Sequence, residues 1–389
     1  MDYTRGYEAT SVVTDGYRSV QGGSMQFIEM PDLKAGMRLA RPIYSKQGVL
    51  LYERDSKLNK QVIDSVKNFG LLGMYILDPS EPLPPMSEED LEFERFQTMT
   101  VFSIQAELDR ILQSGKQSRL QTIVSTIIKK YGHLKNKINF YQNLRSKDDY
   151  VCSHSLNVAM LCAMMTHVMN LRVDEQFQTV EAAILHDLGK QKLSKEVLFK
   201  QEKAPDDEDR IYREQLAALD VLDDFSEGAG VKRICMQALR AQREFTVNGR
   251  IDTNDKMTMG AKILIVANRY DEETAMDLTG RAESEVKALQ EFYDYPSLYD
   301  PKAVDALVRS VNILFAGVSV ELSTGEKALV LAENPQDILR PMVLKFRDNT
   351  ILDLSLRGNA KIKIVDITKT LDNRYVMDDD VVARMLTVL

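Results

Sequence analysis

A chain of 389 residues with 44% apolar and 28% charged side chains, and no apolar run near the roughly 20 residues of a membrane helix, excludes a membrane-spanning protein and leaves room for two or three globular domains. The formal charge of −8 excludes a general binder of nucleic-acid polymers, which needs a basic excess. Three irregularly spaced cysteines, Cys152, Cys162 and Cys235, exclude a disulfide framework and point to reduced, buried thiols in the cytoplasm.

Residues 1–25 are polar, rich in Gly, Ser, Thr and Tyr, and read as a disordered leader. From 26 to 80 the pattern predicts a small α+β module. It has apolar stretches at 37–43 and 49–51, a charged amphipathic helix near 59–68, and a further strand at 74–77. Proline-rich 80–85 followed by acidic 87–94 places a linker over 81–99. Between 100 and 312 apolar residues recur at helical spacing, predicting an all-α domain with helices near 101–114, 118–131, 153–169, 176–186, 207–223, 230–244, 258–276 and 301–312. Residues 313–389 then form a β-rich module, with β-formers at 318–322, 328–331, 342–346 and 362–367 and turn residues at 323–326. The expected class is therefore mainly α, with a central helical bundle between two small strand-bearing modules.

The chemistry centres on His186-Asp187, in the run Ala-Ala-Ile-Leu-His-Asp-Leu-Gly-Lys190, and on His154 in a neighbouring predicted helix. Imidazoles and carboxylates hold divalent cations, and a held cation activates water and offsets phosphate charge. A fourth ligand is expected from a third helix. The same pair also has a purely structural reading, a hydrogen-bonded network at a helix end, because buried polar groups need partners with or without a metal. Only four histidines exist. His133 sits in a basic, polar stretch, and His167 lies 13 residues past His154, roughly on the opposite side of one helix.

The chain resembles the HD-GYP family, HD-superfamily metal-dependent phosphodiesterases acting on cyclic di-GMP. The resemblance rests on His154-Ser-Leu-Asn-Val-Ala, on the His186-Asp187 run, on Lys262-Ile-Leu-Ile-Val-Ala-Asn-Arg-Tyr-Asp271 and on Tyr299-Asp-Pro-Lys-Ala-Val-Asp-Ala-Leu307, with Asp32-Leu-Lys-Ala-Gly-Met-Arg-Leu-Ala-Arg-Pro-Ile43 resembling the module that precedes such domains. It implies an HD-type bundle with metal ligands at His154, His186 and Asp187 and catalytic roles for Asp187 and Lys190, the lysine directed at a substrate phosphate. A late-helix aspartate is replaced by Asn268, a neutral donor, while Asp271 matches a second aspartate and is a further candidate ligand. Other family histidines fall on Gln215 and on Gln242-Arg-Glu244, and the Gly-Tyr-Pro signature is replaced by Asn248-Gly-Arg-Ile-Asp-Thr-Asn-Asp255.

These departures imply a degenerate member acting in signalling by binding cyclic di-GMP or another nucleotide, or a protein partner, without turnover. In that reading Lys190, Arg243 and Arg269, with Arg240 and Arg250 near them, are candidate phosphate partners. The alternative is an active phosphohydrolase with one divalent metal (Fe, Mn or Mg) on His154, His186, Asp187 and Asn268 or Asp271.

Overall fold

The computed structural model describes residues 25–45, 48–68, 73–77, 88–140, 148–200, 203–225, 228–249, 251, 256–275 and 284–367. The leader, the 80–85 segment and most of the 248–255 loop lie outside them. The N-terminal module is built from β1 (Met25–Glu29), a short hairpin of β2 (Ile43–Tyr44) and β3 (Leu50–Tyr52), α1 (Lys60–Lys67) and β4 (Gly73–Leu77). β1 pairs antiparallel with β4, Met25 opposite Leu77. The Asn59 side chain accepts from Val62 N and starts α1. Leu33, Leu39, Ile43, Leu58, Val66, Met74 and Ile76 form this module's own core. Most of the apolar stretch 37–43 runs as bends and single bridges, Arg38 to Lys57 and Leu39 to Ile76, because its backbone groups are shared between two neighbours.

The helical unit begins earlier than its charge pattern suggests. α2 (Glu88–Ser114) includes residues 88–99, expected as linker, because Phe93, Gln97, Val101, Ile104, Leu108 and Ile111 line one buried face at helical spacing. Among the described residues, eight helices of two turns or more follow: α3 (Leu120–Tyr131), α4 (Tyr150–Val168), α5 (Val173–Leu185), then, after the single turn α6 (Lys195–Leu198), α7 (Pro205–Ala218), α8 (Gly228–Asn248), α9 (Met259–Thr274), α10 (Glu285–Asp294), which the sequence expectation lacks, and α11 (Pro301–Ser310). α4 is the axis of the bundle, contacted by α2, α3, α5, α9 and α11. Its 19 residues are long and apolar enough to cross a membrane, but 89% of the most apolar window is buried inside the fold. Met160, Met164 and Met165 are part of that core.

Beyond α11 an antiparallel sheet holds β5 (Ser319–Leu322), β6 (Lys327–Ala332), β7 (Met342–Lys345), β8 (Ile351–Asp353) and β9 (Ile364–Ile367), in the order β8-β7-β6-β5-β9. β8 is absent from the sequence expectation: three residues after an Asp348 turn are too short to show an alternation. The sheet shares one continuous core with the bundle, with Val320, Leu322, Val330 and Ile364 in the same cluster as Leu156 and Leu264. The N-terminal module is joined differently, by a buried ion pair between Arg41 and Glu94 of α2, with the guanidinium 5.0 Å over the Tyr75 ring.

Candidate metal centre

Three helices converge on one point. His154 lies on the second turn of α4, His186 is the residue that closes α5, and Asn268 and Asp271, three apart and so on one face, come from α9. His154 Nε2 and His186 Nε2 are 3.2 Å apart, and Asn268 Oδ1 is 2.8 Å from each. Asp187 Oδ2 is 3.6 Å from both nitrogens. Donors about 2.1 Å from a shared cation stand roughly 3.0–3.4 Å apart. These five separations lie within about half an ångström of that spacing, and Asn268 is the donor that the third helix brings to the centre.

The opposite side of each ring fixes its tautomer. His154 Nδ1 is 2.6 Å from Asp271 Oδ2, and His186 Nδ1 is 2.8 Å from the Ala183 carbonyl, so both Nδ1 atoms donate and both Nε2 lone pairs face inward. Two imidazole lone pairs then confront the Asn268 carbonyl oxygen. Three acceptors aimed at one another are stable only around something positive, a proton on one ring or a cation among them. The donor set therefore fits a divalent metal. A proton on one ring would satisfy the same contacts as a hydrogen-bonded network, so the structural reading fits them as well.

Asp271 is not among the inward-facing donors. It is fully buried behind His154, one oxygen accepting from His154 Nδ1 and the other from Asn157 Nδ2 at 2.8 Å, and Gln97 Nε2 of α2 donates to Asn157 Oδ1 at 3.3 Å. The expected ligand is a second layer, held there because both oxygens are engaged. Asn157, three residues after His154 on the same helix face, is the residue that sequence reasoning missed.

After His186 the chain tightens into a 3-10 turn, Leu188–Lys192. Lys190 Nζ reaches back to Asp187 Oδ2 at 2.7 Å, and Gln215 Nε2 of α7 donates to Asp187 Oδ1 at 2.7 Å. Burial opposes the charged carboxylate, but the charge of Lys190 and the two rings outweigh it and hold Asp187 well below the usual carboxylate range. The Asp187 charge in turn overrides burial and raises Lys190.

A cavity of about 350 Å³ opens from this centre between α7, α8 and α9, lined by Lys190, Lys203, Tyr212, Gln242, Arg243 and Glu272 among others. Arg243 is ion-paired to Asp209, lies 3.7 Å from Glu208 and stacks on the Tyr212 ring at 5.8 Å, all three on α7. Arg269, expected as a phosphate partner, does not line the cavity. It is held by Glu273 and Glu291 at 2.6 and 3.0 Å, because its position on α9 points it toward α10. Arg240 is exposed, and Arg250 lies outside the described residues. His133 and His167 pack against each other edge to face, ring centres 5.6 Å apart, away from the centre. All three cysteines are free and buried, Cys235 on the cavity wall.

Residues 151–271, the span holding all of these donors, match the HD domain family. HD domains typically bind divalent metals, and the His154, His186 and Asp187 cluster supplies a place for one. Over 213 residues the chain is 24% identical to a cyclic di-GMP phosphodiesterase of Pseudomonas aeruginosa, covering 52% of this chain and 49% of that protein. The chain thus spans about half the length of the curated relative it matches.

The two rings of this centre differ in basicity. Burial opposes a charge on His154, but the hydrogen bond to Asp271 and the charges of Asp271 and Asp187 outweigh it and raise the ring above 6.5. Burial, with the neighbouring His154 and Lys190 charges, lowers His186. For the metal-free protein, the raised His154 value contributes stability in full below pH 6.5, and that contribution is lost as pH rises through the folded value. Cation binding needs the neutral ring and so favours the opposite direction. Calorimetry with Mn²⁺ in buffers of different ionisation enthalpy should show proton release and an affinity that climbs with pH over that window. A pH-independent affinity would contradict the assignment of His154 as a ligand.

Proposed function

We propose that this chain is a degenerate HD-GYP-type signalling protein that holds one divalent cation on His154, His186, Asp187 and Asn268. Through that cation, with Lys190, Lys203 and Arg243, it binds a phosphate-bearing nucleotide, with cyclic di-GMP the first candidate. It does not hydrolyse cyclic di-GMP. The observation that carries the reading is the contrast within one cavity: one complete set of inward-facing donors sits beside positions filled by Gln215, Gln242 and Arg243. Two amides and a guanidinium supply no anionic or imidazole ligands for a second cation, whereas a guanidinium is well suited to a phosphate.

A divalent cation in the centre would supply a Lewis acid for a phosphate oxygen. The chain's own contribution is to orient and neutralise. Asp271 and Ala183 aim the two rings, and Lys190 reaches both the ligand carboxylate and the cavity. For Arg243 to meet a phosphate it must leave Asp209, so binding exchanges one carboxylate partner for another anion.

A second reading, an active one-metal phosphohydrolase, is favoured by the placement of Lys190 beside the ligand set. Protein purified in the presence of Mn²⁺ should carry about one equivalent by elemental analysis and give heat on titration with cyclic di-GMP, with no product on prolonged incubation. Two equivalents with turnover of cyclic di-GMP would overturn the proposal. One equivalent with hydrolysis of a generic phosphodiester would establish the second reading.

A further inference from the structure

Resting on the single-cation reading above, we propose that Gln215 is a positioning residue for the Asp187 carboxylate, and that Gly189 is what lets it act. Asp187 must present one oxygen to the ring nitrogens. Its carboxylate sits at the junction of α5 with the 3-10 turn, where it caps no backbone N–H and where Lys190 Nζ holds Oδ2 at 2.7 Å. Gln215 restrains the other oxygen from another helix. It is buried, and its Nε2 donates to Oδ1 at 2.7 Å, so that Oδ2, the atom paired with Lys190 and 3.6 Å from both Nε2 atoms, is the one turned to the centre. With Oδ1 engaged by a neutral donor, the carboxylate is set to offer a cation one oxygen.

This reach depends on how closely the backbone of α7 approaches the turn. A Cβ built on Gly189 would lie 2.5 Å from Gln215 Cα and 2.6 Å from Gln215 N, and would also collide with the Glu214 carbonyl oxygen. Real Cβ contacts are never that short, so any side chain at 189 would push α7 away. Gly189 lacks a positive φ, so its role is close approach, not backbone freedom. The turn residue in Asp187-Leu-Gly-Lys190 and the amide of Gln215, 26 positions later, work as one device: the first admits the helix, the second holds the ligand.

Gln215→Met keeps the length and approximate volume of the side chain and removes the donor. Folded wild-type and Q215M protein, checked by thermal melting, would be titrated with Mn²⁺ by calorimetry and examined by electron paramagnetic resonance of the bound ion. Outer-shell partners of metal ligands typically account for roughly 10–100-fold in affinity. Q215M is expected to bind Mn²⁺ about 10–100-fold more weakly and with an altered line shape, since a freed carboxylate changes the ion's symmetry. Gln215→Asn, one methylene shorter, should shift both readouts the same way. Wild-type affinity and line shape in both folded variants would overturn the inference, because a packing role alone would move only the melting temperature. A wild-type protein that binds no Mn²⁺ would overturn the single-cation reading itself, and this inference with it.

Discussion

Replacing His186 with alanine is expected to take the protein from one tightly held equivalent of Mn²⁺ to none recoverable after dialysis. The ring places its Nε2 within 3.6 Å of every other inward-facing donor, at 3.2 Å from His154, 2.8 Å from Asn268 and 3.6 Å from Asp187. Without it two protein ligands with a strong donor remain, plus a neutral amide oxygen. Loss of an outer-shell partner alone can cost up to about a hundredfold in affinity, so loss of a direct ligand should exceed about a hundredfold. Stability should change little by comparison. His186 makes one hydrogen bond outside the centre, to Ala183, a contribution of about 1 kcal/mol. Metal analysis of H186A beside a thermal melt reads both effects. Stoichiometric Mn²⁺ in the folded variant would remove His186 from the ligand set.

Replacing Asp271 with alanine should harm stability and affinity together. Asp271 is fully buried and serves two donors, His154 Nδ1 and Asn157 Nδ2. Removing one member of a buried charged pair typically costs about 3–5 kcal/mol, because the partner is left desolvated and unpaired. The His154 tautomer loses its anchor as well, which should weaken Mn²⁺ binding by about 10–100-fold. The pH behaviour supplies an independent sign. With Asp271 gone, burial dominates and the His154 ring falls, so the rise of metal affinity with pH should move to lower pH. Urea unfolding of metal-free D271A and Mn²⁺ titration between pH 5.5 and 8 (about a unit or more either side of the ordinary imidazole value) measure these changes. An unshifted pH profile would show that Asp271 does not set the basicity of His154.

Much of the helical domain is legible in its apolar spacing because each long helix buries one continuous face. α2 is the exception, since Glu88, Glu89 and Asp90 at its start resemble a solvated linker although Phe93 and Gln97 are already on the buried face. α10 was hidden by its charged sequence, and α6 by its single turn. In the site, His154, His186, Asp187 and Asn268 could be named from residue types and motif resemblance, but the layer behind them could not. Asp271 and Asn268 differ in role only because one lies in front of the His154 ring and the other behind it, a distinction set by the packing of α9 on α4. Arg243 and Arg269 look equivalent as nearby cations, yet one faces the cavity and the other the carboxylates around α10. Gln215 reads as a lost imidazole in the sequence; its hydrogen bond to Asp187 becomes visible only once α7 is seen resting on Gly189.

The shared core of bundle and sheet has a consequence for cooperativity. Val320, Val330 and Ile364 are buried in the same cluster as the helices that carry His154, His186 and Asn268, so opening the sheet strips apolar cover from the bundle, and the two are expected to unfold as one body. The N-terminal module has its own seven-residue core and meets α2 through the Arg41–Glu94 pair. Its own core makes it the part expected to melt first, as a separate calorimetric transition that leaves the centre around His186 folded.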